Sequence, residues 1–108
     1  MRGPSVHSPA AVEAAHLLGK RVRLERRRRR WTVVELAERV GVSPVTIRKV
    51  ESGDLTVALG TAFEAAALVG VPLFHAEPAR RALESERVDR ELAVLPASVR
   101  RTSVDDDF

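Results

Sequence analysis

The chain contains no cysteine, and only four of its 108 residues are tryptophan or phenylalanine. Without cysteine it can form neither a disulfide scaffold nor a thiolate zinc site. His7, His16 and His75 are widely spaced and have no matching carboxylate pattern, so we expect no metal site. No apolar run approaches the roughly 20 residues that span a bilayer. Stability must therefore come from packing one small core, helped by pairing with a second copy.

Signals for export and for catalysis are also lacking. The first ten residues, MRGPSVHSPA, carry one arginine and no apolar segment, which excludes a secretory signal there. We therefore expect a cytoplasmic, nucleoid-associated protein. The sequence has no glycine-rich phosphate loop, no nucleophile–base constellation and no metal-ligand spacing. These absences predict a protein that is not an enzyme and that needs no cofactor.

Positive charge is concentrated in one segment, although the net charge is only +3. Eight cations fall within eleven residues, opposed only by Glu25: Lys20, Arg21, Arg23 and Arg26 through Arg30. The C-terminus reverses the sign at Asp105, Asp106 and Asp107. This asymmetry indicates a basic surface for nucleic acid and a separate acidic tail. An arginine run can also be a solvated helix end that complements the helix dipole, and the sequence leaves both interpretations open.

The hydrophobic periodicity predicts an all-α chain. We expect a disordered arm over residues 1–9 and a first helix from about Ala10 to Arg29, with an apolar stripe of Val12, Ala15, Leu18 and Val22. A helix over about Leu59–Val69, ended by Gly70, would carry Leu59, Ala62, Phe63, Ala66 and Val69 on one face. Pro72, Leu73 and Phe74 suggest a short helical turn. A last helix is expected over Pro78–Val94, stopped by Pro96.

The segment from Trp31 to Asp54 predicts two short helices joined by a glycine turn. Thr32 can cap the first, whose apolar residues are Leu36, Ala37 and Val40. Gly41 can adopt the positive φ that ends it. Ser43 can cap the second helix, Pro44 suits its first position, and Gly53 closes it.

Ile47 and Val50 direct the second helix inward, which leaves an outer face formed by Val45, Thr46, Arg48 and Lys49. Two such helices on a basic chain form a helix-turn-helix, whose second helix fits the DNA major groove. The alternative is an ordinary helical hairpin in a small bundle.

Residues Leu18 to Val71 resemble the Xre/λ-repressor-like helix-turn-helix family. The resemblance lies in LGKRVRL, TVVELAERVGVS, TIRKVESGD and LGTAFEAAALVGV. It implies a compact fold of four or five helices that binds double-stranded DNA.

The family resemblance also implies roles for single residues. By position, the base-contacting residues would be Pro44, Val45 and Lys49, and the phosphate-contacting residues would be Thr32, Val33, Ser43 and Ser52. The resemblance further implies a structural pair between Glu51 and Arg26.

The chain departs from the family pattern at Val33, where many members carry a glutamine that contacts phosphate. Val33 offers only its backbone N–H at a helix N-terminus. Pro44 and Val45 present apolar surface suited to a thymine methyl group, whereas Lys49 can donate to guanine and Arg48 can reach a base or the backbone. We therefore expect few direct contacts to base edges, with part of the sequence specificity coming from DNA shape.

A homodimer would present two such helices roughly 34 Å apart to a palindromic operator. The sequence suggests a pairing surface from apolar residues after the fourth helix: Val71, Leu73, Phe74, Leu83, Val88, Leu92 and Leu95. By layout we divide the chain into an arm (1–9), a helix-turn-helix DNA-binding domain (10–75), a C-terminal helix for dimerisation or packing (76–95) and a flexible tail (96–108).

The second half of the chain resembles the antitoxin-repressors encoded beside Hip-type toxin kinases, in VALGTAFEAAALVG, RRALESERVDREL, LPASVRR and DDDF. This implies an autoregulating repressor that also binds a kinase-like toxin. Its docking residues would be Leu95, Val104, Asp105, Asp106, Asp107 and Phe108. The tail can alternatively be a solubilising end. A plain Xre-type regulator without a toxin partner, and an architectural binder of nonspecific DNA, remain alternatives.

Overall fold

The computed structural model describes residues 6–97, which form five α-helices. They are α1 (Pro9–Arg28), α2 (Val33–Val40), α3 (Pro44–Ser52), α4 (Leu59–Leu68) and α5 (Pro78–Val94). Within that range there is no β-strand, only an isolated bridge between Leu73 and His75. The all-α prediction is confirmed. The chain divides after Ala76 into two units, the first holding α1 to α4 and the second holding α5.

Helix α1 begins one residue earlier than expected. The Ser8 side chain accepts a hydrogen bond from the Ala11 amide at 3.2 Å, and Pro9 occupies the first turn. Serine is a favourable cap, and proline at the first helical position loses no hydrogen bond. Ser8 and Pro9 are therefore ordered parts of the helix start, not of a disordered arm over 1–9. Residues 1–5 of that arm lie outside the described range.

The two helices of the motif are capped as the sequence predicts. Thr32 accepts from the Glu35 amide at 3.0 Å, while the Glu35 carboxylate accepts from the Thr32 amide at 2.8 Å. This reciprocal capping box fixes the start of α2. Gly41 ends α2 with φ 87°, and Ser43 caps α3 by accepting from the Thr46 amide at 3.2 Å.

The core lies where α1, α2, α3 and α4 meet. Its buried hydrophobic residues are Val22, Leu36, Ala37, Ile47, Val50, Ala65, Ala66, Val69 and Val71. The inward directions predicted for Leu36, Ile47 and Val50 are confirmed. Leu59, expected on the apolar face of α4, is the first residue of that helix, lines a surface groove and is 68% exposed.

The helical turn predicted at Pro72, Leu73 and Phe74 is wrong. Phe74 has φ 68°, and the His75 amide donates to the Leu73 carbonyl at 2.8 Å across it. A left-handed residue cannot continue a right-handed helical turn. The tight reversal leaves the Phe74 side chain 85% exposed.

Helix α5 has the predicted bounds. Arg87 forms ion pairs with Glu84 at 2.6 Å and Glu91 at 2.8 Å along its surface. Its larger apolar residues are exposed: Leu83, Val88, Leu92 and Val94. Of the helices in residues 6–97, none combines the length and the hydrophobicity of a membrane span.

Candidate nucleic-acid interface

The outer face of α3 consists of residues that the core does not use. Val45 is 56% exposed, and Arg48 and Lys49 are also exposed. Thr46 is half-buried, and its hydroxyl lies 3.1 Å from that of Ser43. Pro44 is half-buried as well. The α3 outer face thus presents one apolar side chain and two cations. The Thr46 hydroxyl already has a hydrogen-bond partner in Ser43.

The hydroxyl groups expected to contact phosphate already have partners in the protein. Thr32 and Ser43 cap α2 and α3, and the Ser52 hydroxyl donates to the Lys49 carbonyl at 3.0 Å. Val33 is the half-buried first residue of α2. Its N–H has no acceptor within the helix and points toward the helix N-terminus, where an anion is favoured.

A buried ion pair joins α1 to α3. Arg26 Nε donates to Glu51 Oε2 at 2.6 Å and Arg26 Nη2 donates to Glu51 Oε1 at 3.0 Å. The two residues are only 8% and 5% exposed. The hydrogen bond to Glu51 raises the pKa of Arg26, with the charge of Glu51 adding to it against the effect of burial. The pair expected from the family resemblance is thus present, in bidentate geometry.

The same arginine also fixes the segment before α2. Arg26 Nη1 donates to the Trp31 carbonyl at 2.9 Å. Trp31 packs against the core, and the Arg39 guanidinium lies over its ring, 4.0 Å from the ring centre. One side chain therefore connects α1, the loop before α2 and α3.

Sequence reasoning missed the close approach of α1 to the C-terminal end of α3. A Cβ on Gly19 would lie 2.5 Å from the Val50 carbonyl oxygen and 2.6 Å from that of Glu51. A Cβ on Gly53, which has φ 80°, would collide with His16. The available signal was a glycine inside an amphipathic helix, which often marks a close packing contact.

The arginine run is divided among several environments. Arg26 is buried, whereas Arg28 and Arg29 pair with Glu25 at 3.0 and 3.2 Å. Arg30 is exposed and has φ 61°. Neither a single phosphate-binding run nor a uniformly solvated helix end describes these residues.

The remaining predicted sites are less defined. Leu95 is exposed just after α5, while Val104, Asp105, Asp106, Asp107 and Phe108 lie outside the described residues. In residues 6–97 no three histidine or carboxylate groups lie close enough together to hold a metal ion.

Comparison with known proteins gives one family. Residues 22–75 match the family described as Helix-turn-helix, which is half of the chain and includes α2, α3 and α4. Comparisons with curated proteins and with solved structures found no match. The matched region contains the capped α2–turn–α3 unit and the buried Arg26–Glu51 ion pair. The chain therefore belongs to the helix-turn-helix family of Xre/λ-repressor type, whose members are DNA-binding transcription regulators.

Proposed function

We propose that the protein is a sequence-specific transcriptional repressor that inserts α3 into the DNA major groove. The observation that carries this proposal is the division of α3 into two faces. Ile47 and Val50 are buried at 0% and 4% exposure, while Val45 and Lys49 point away from the core. A helix held in this way can enter a groove without unfolding any part of the core.

We assign the contacts with bases and the contacts with the DNA backbone to different residues. Lys49 donates to guanine O6 or N7, and Val45 and Pro44 contact thymine methyl groups. Arg48 reaches a base or the backbone. Backbone contacts from Thr32, Val33, Ser43 and Ser52 set the register on the duplex. The Thr46 hydroxyl lies 3.1 Å from that of Ser43, and we assign Thr46 to the same contacts with the DNA backbone.

The test is a binding measurement on an operator obtained by selection from a random-sequence library. We expect Lys49→Ala to weaken specific binding about tenfold, within the roughly 1–3 kcal/mol of a good base contact. Val45→Ala should reduce preference at one thymine. Arg21→Ala, an exposed cation of α1, is the matched control and should keep the same preference. Unchanged affinity and preference in both α3 variants would contradict the proposed readout.

We also propose that the protein acts as a homodimer on a palindromic operator. A single short helix contacts few base pairs, and a dimer doubles the site at a spacing of roughly 34 Å. The exposed Phe74 of the first unit is one candidate for a pairing surface, and the exposed apolar residues of α5 in the second unit are another. Sedimentation should give a dimer at micromolar concentration, and selected sites should be palindromic. A monomer that binds an asymmetric site would contradict this.

The antitoxin role is a narrower proposal, supported by the resemblance of the C-terminal sequence and by its basic-then-acidic charge order. It predicts that the full chain copurifies with a stoichiometric kinase-sized partner, while a chain lacking residues 97–108 binds DNA but not that partner. A lone dimer with full regulatory activity after the deletion would favour the plain Xre-type regulator.

A further inference from the structure

The edge of α1 that adjoins α3 carries a line of cations. Arg23 Nε lies 3.5 Å from Glu51 Oε1 of α3, which fixes the side of α1 on which Arg23 stands. Lys20 and Arg27 lie three residues before and four residues after it, so they share that side of the helix. All three are exposed. We call Lys20, Arg23 and Arg27 the flanking stripe.

The opposite edge of α1 is organised differently. Glu25 binds Arg28 and Arg29 there, and the Arg29 guanidinium lies 2.7 Å from where a Cβ of Gly70 would stand, after α4. Along this edge, each of these arginines is balanced by a nearby carboxylate. The same holds in α5, where Arg87 forms ion pairs with two glutamates.

The flanking stripe lacks such a balance. In the described part of the chain, no ion pair involves Lys20 or Arg27, and the carboxylate near Arg23 belongs to the buried pair with Arg26. Like charges three or four residues apart destabilise a helix by a few tenths of a kcal/mol each. The stripe is thus unfavourable in the free protein and becomes favourable beside a polyanion.

We infer that the flanking stripe contacts DNA phosphates beside the bases that α3 reads, and so extends the DNA footprint along α1. The inference rests on the proposed function, because the stripe adjoins the helix that enters the groove. Phosphate contacts carry no sequence information. The stripe therefore supplies affinity and salt dependence, whereas the α3 outer face supplies preference.

The test compares two double variants of the full chain with the same change in charge. Lys20→Gln/Arg27→Gln removes two stripe cations and leaves Arg23 in its contact with Glu51. Arg21→Gln/Arg28→Gln removes two exposed cations from the rest of α1. Thermal melting of each variant checks the fold. Dissociation constants are then measured across a range of salt concentrations, on the selected operator and on a random-sequence duplex.

We expect the stripe variant to reduce the slope of log Kd against log salt by roughly 1.8 for each bound protomer, since each phosphate contact contributes roughly 0.9. A bound dimer loses four stripe cations, so its slope should fall by roughly 3.6. Its affinity should fall by a similar factor on both duplexes, with preference unchanged, and the control should retain the wild-type slope. Equal slopes in the two variants overturn the inference while leaving the proposed function intact. Absence of wild-type binding to either duplex overturns both.

Discussion

Replacing Gly19 by alanine tests how α1 holds α3. Helix propensity alone predicts that alanine in the middle of α1 stabilises the protein by about 1 kcal/mol. The structure predicts the opposite sign, because the added methyl would lie 2.5 Å from the Val50 carbonyl oxygen and 2.6 Å from the Glu51 carbonyl oxygen. Both atoms belong to the backbone, so they cannot move aside as a side-chain end can.

The magnitude follows from two opposing effects. Overpacking of this kind costs roughly 1–3 kcal/mol, and contact with rigid backbone belongs at the upper end. Subtracting the gain in helix propensity leaves a net loss of about 1–2 kcal/mol. For a domain of this size that loss lowers Tm by roughly 5–10 °C. Since α3 must shift to make room, operator affinity should fall as well.

The assay is thermal unfolding followed by circular dichroism, with Gly60→Ala as the matched control. Gly60 lies in α4, and a Cβ there would meet nothing within 4 Å. That variant should be neutral or stabilised by up to about 1 kcal/mol and should bind the operator normally. If Gly19→Ala melts at or above the wild-type temperature, α1 does not pack closely against α3 at this position.

Three further predictions concern single residues. Glu51→Gln leaves the buried Arg26 charge without its partner and should cost about 3 kcal/mol in urea unfolding. The control Glu25→Gln, at a half-buried residue whose arginine partners are exposed, should cost less than about 1 kcal/mol. Equal losses would contradict a buried pair. Arg30→Gly should relieve a left-handed backbone and raise the unfolding free energy by up to about 1 kcal/mol, after allowing for glycine's greater unfolded-state entropy; a lower Tm would count against it. Asp54 accepts hydrogen bonds from the hydroxyl and from the backbone amide of Thr56. These bonds, the hydroxyl bond most, lower the pKa of Asp54 below the ordinary 3.8. Its contribution to stability is therefore present above that value and is lost as the pH falls through the folded pKa, so Asp54→Asn should flatten the acid limb of stability against pH; an unchanged limb would refute this.

The local signals in the sequence were sufficient to predict the motif. Thr32, Gly41, Ser43 and Gly53 each act through their own backbone or through a residue three positions away. Such interactions depend on short stretches of chain, so the helix boundaries follow from residue type and spacing. The Arg26–Glu51 pair, by contrast, was expected from the family resemblance.

The tertiary contacts were harder to predict. From the sequence, Gly19 is only a residue of low helix propensity inside α1. Its role in letting α3 approach α1 is visible only when the two helices are placed together. The division of the arginine run depends on which cations reach Glu25 and which reach Glu51. The reversal at Phe74 replaces a predicted helical turn because one residue adopts a left-handed backbone, which phenylalanine rarely does. The packing at Gly19 and the pairing of the arginines depend on where distant segments meet, and no local pattern specifies that.

A crystal structure of the protein bound to its selected operator tests the central claim most directly. We predict α3 in the major groove, with Lys49 within hydrogen-bonding distance of a guanine and Val45 against a thymine methyl group. The Arg26–Glu51 pair should be unchanged from the free protein. A complex in which the outer face of α3 meets solvent, with the DNA held by another surface, would contradict the account.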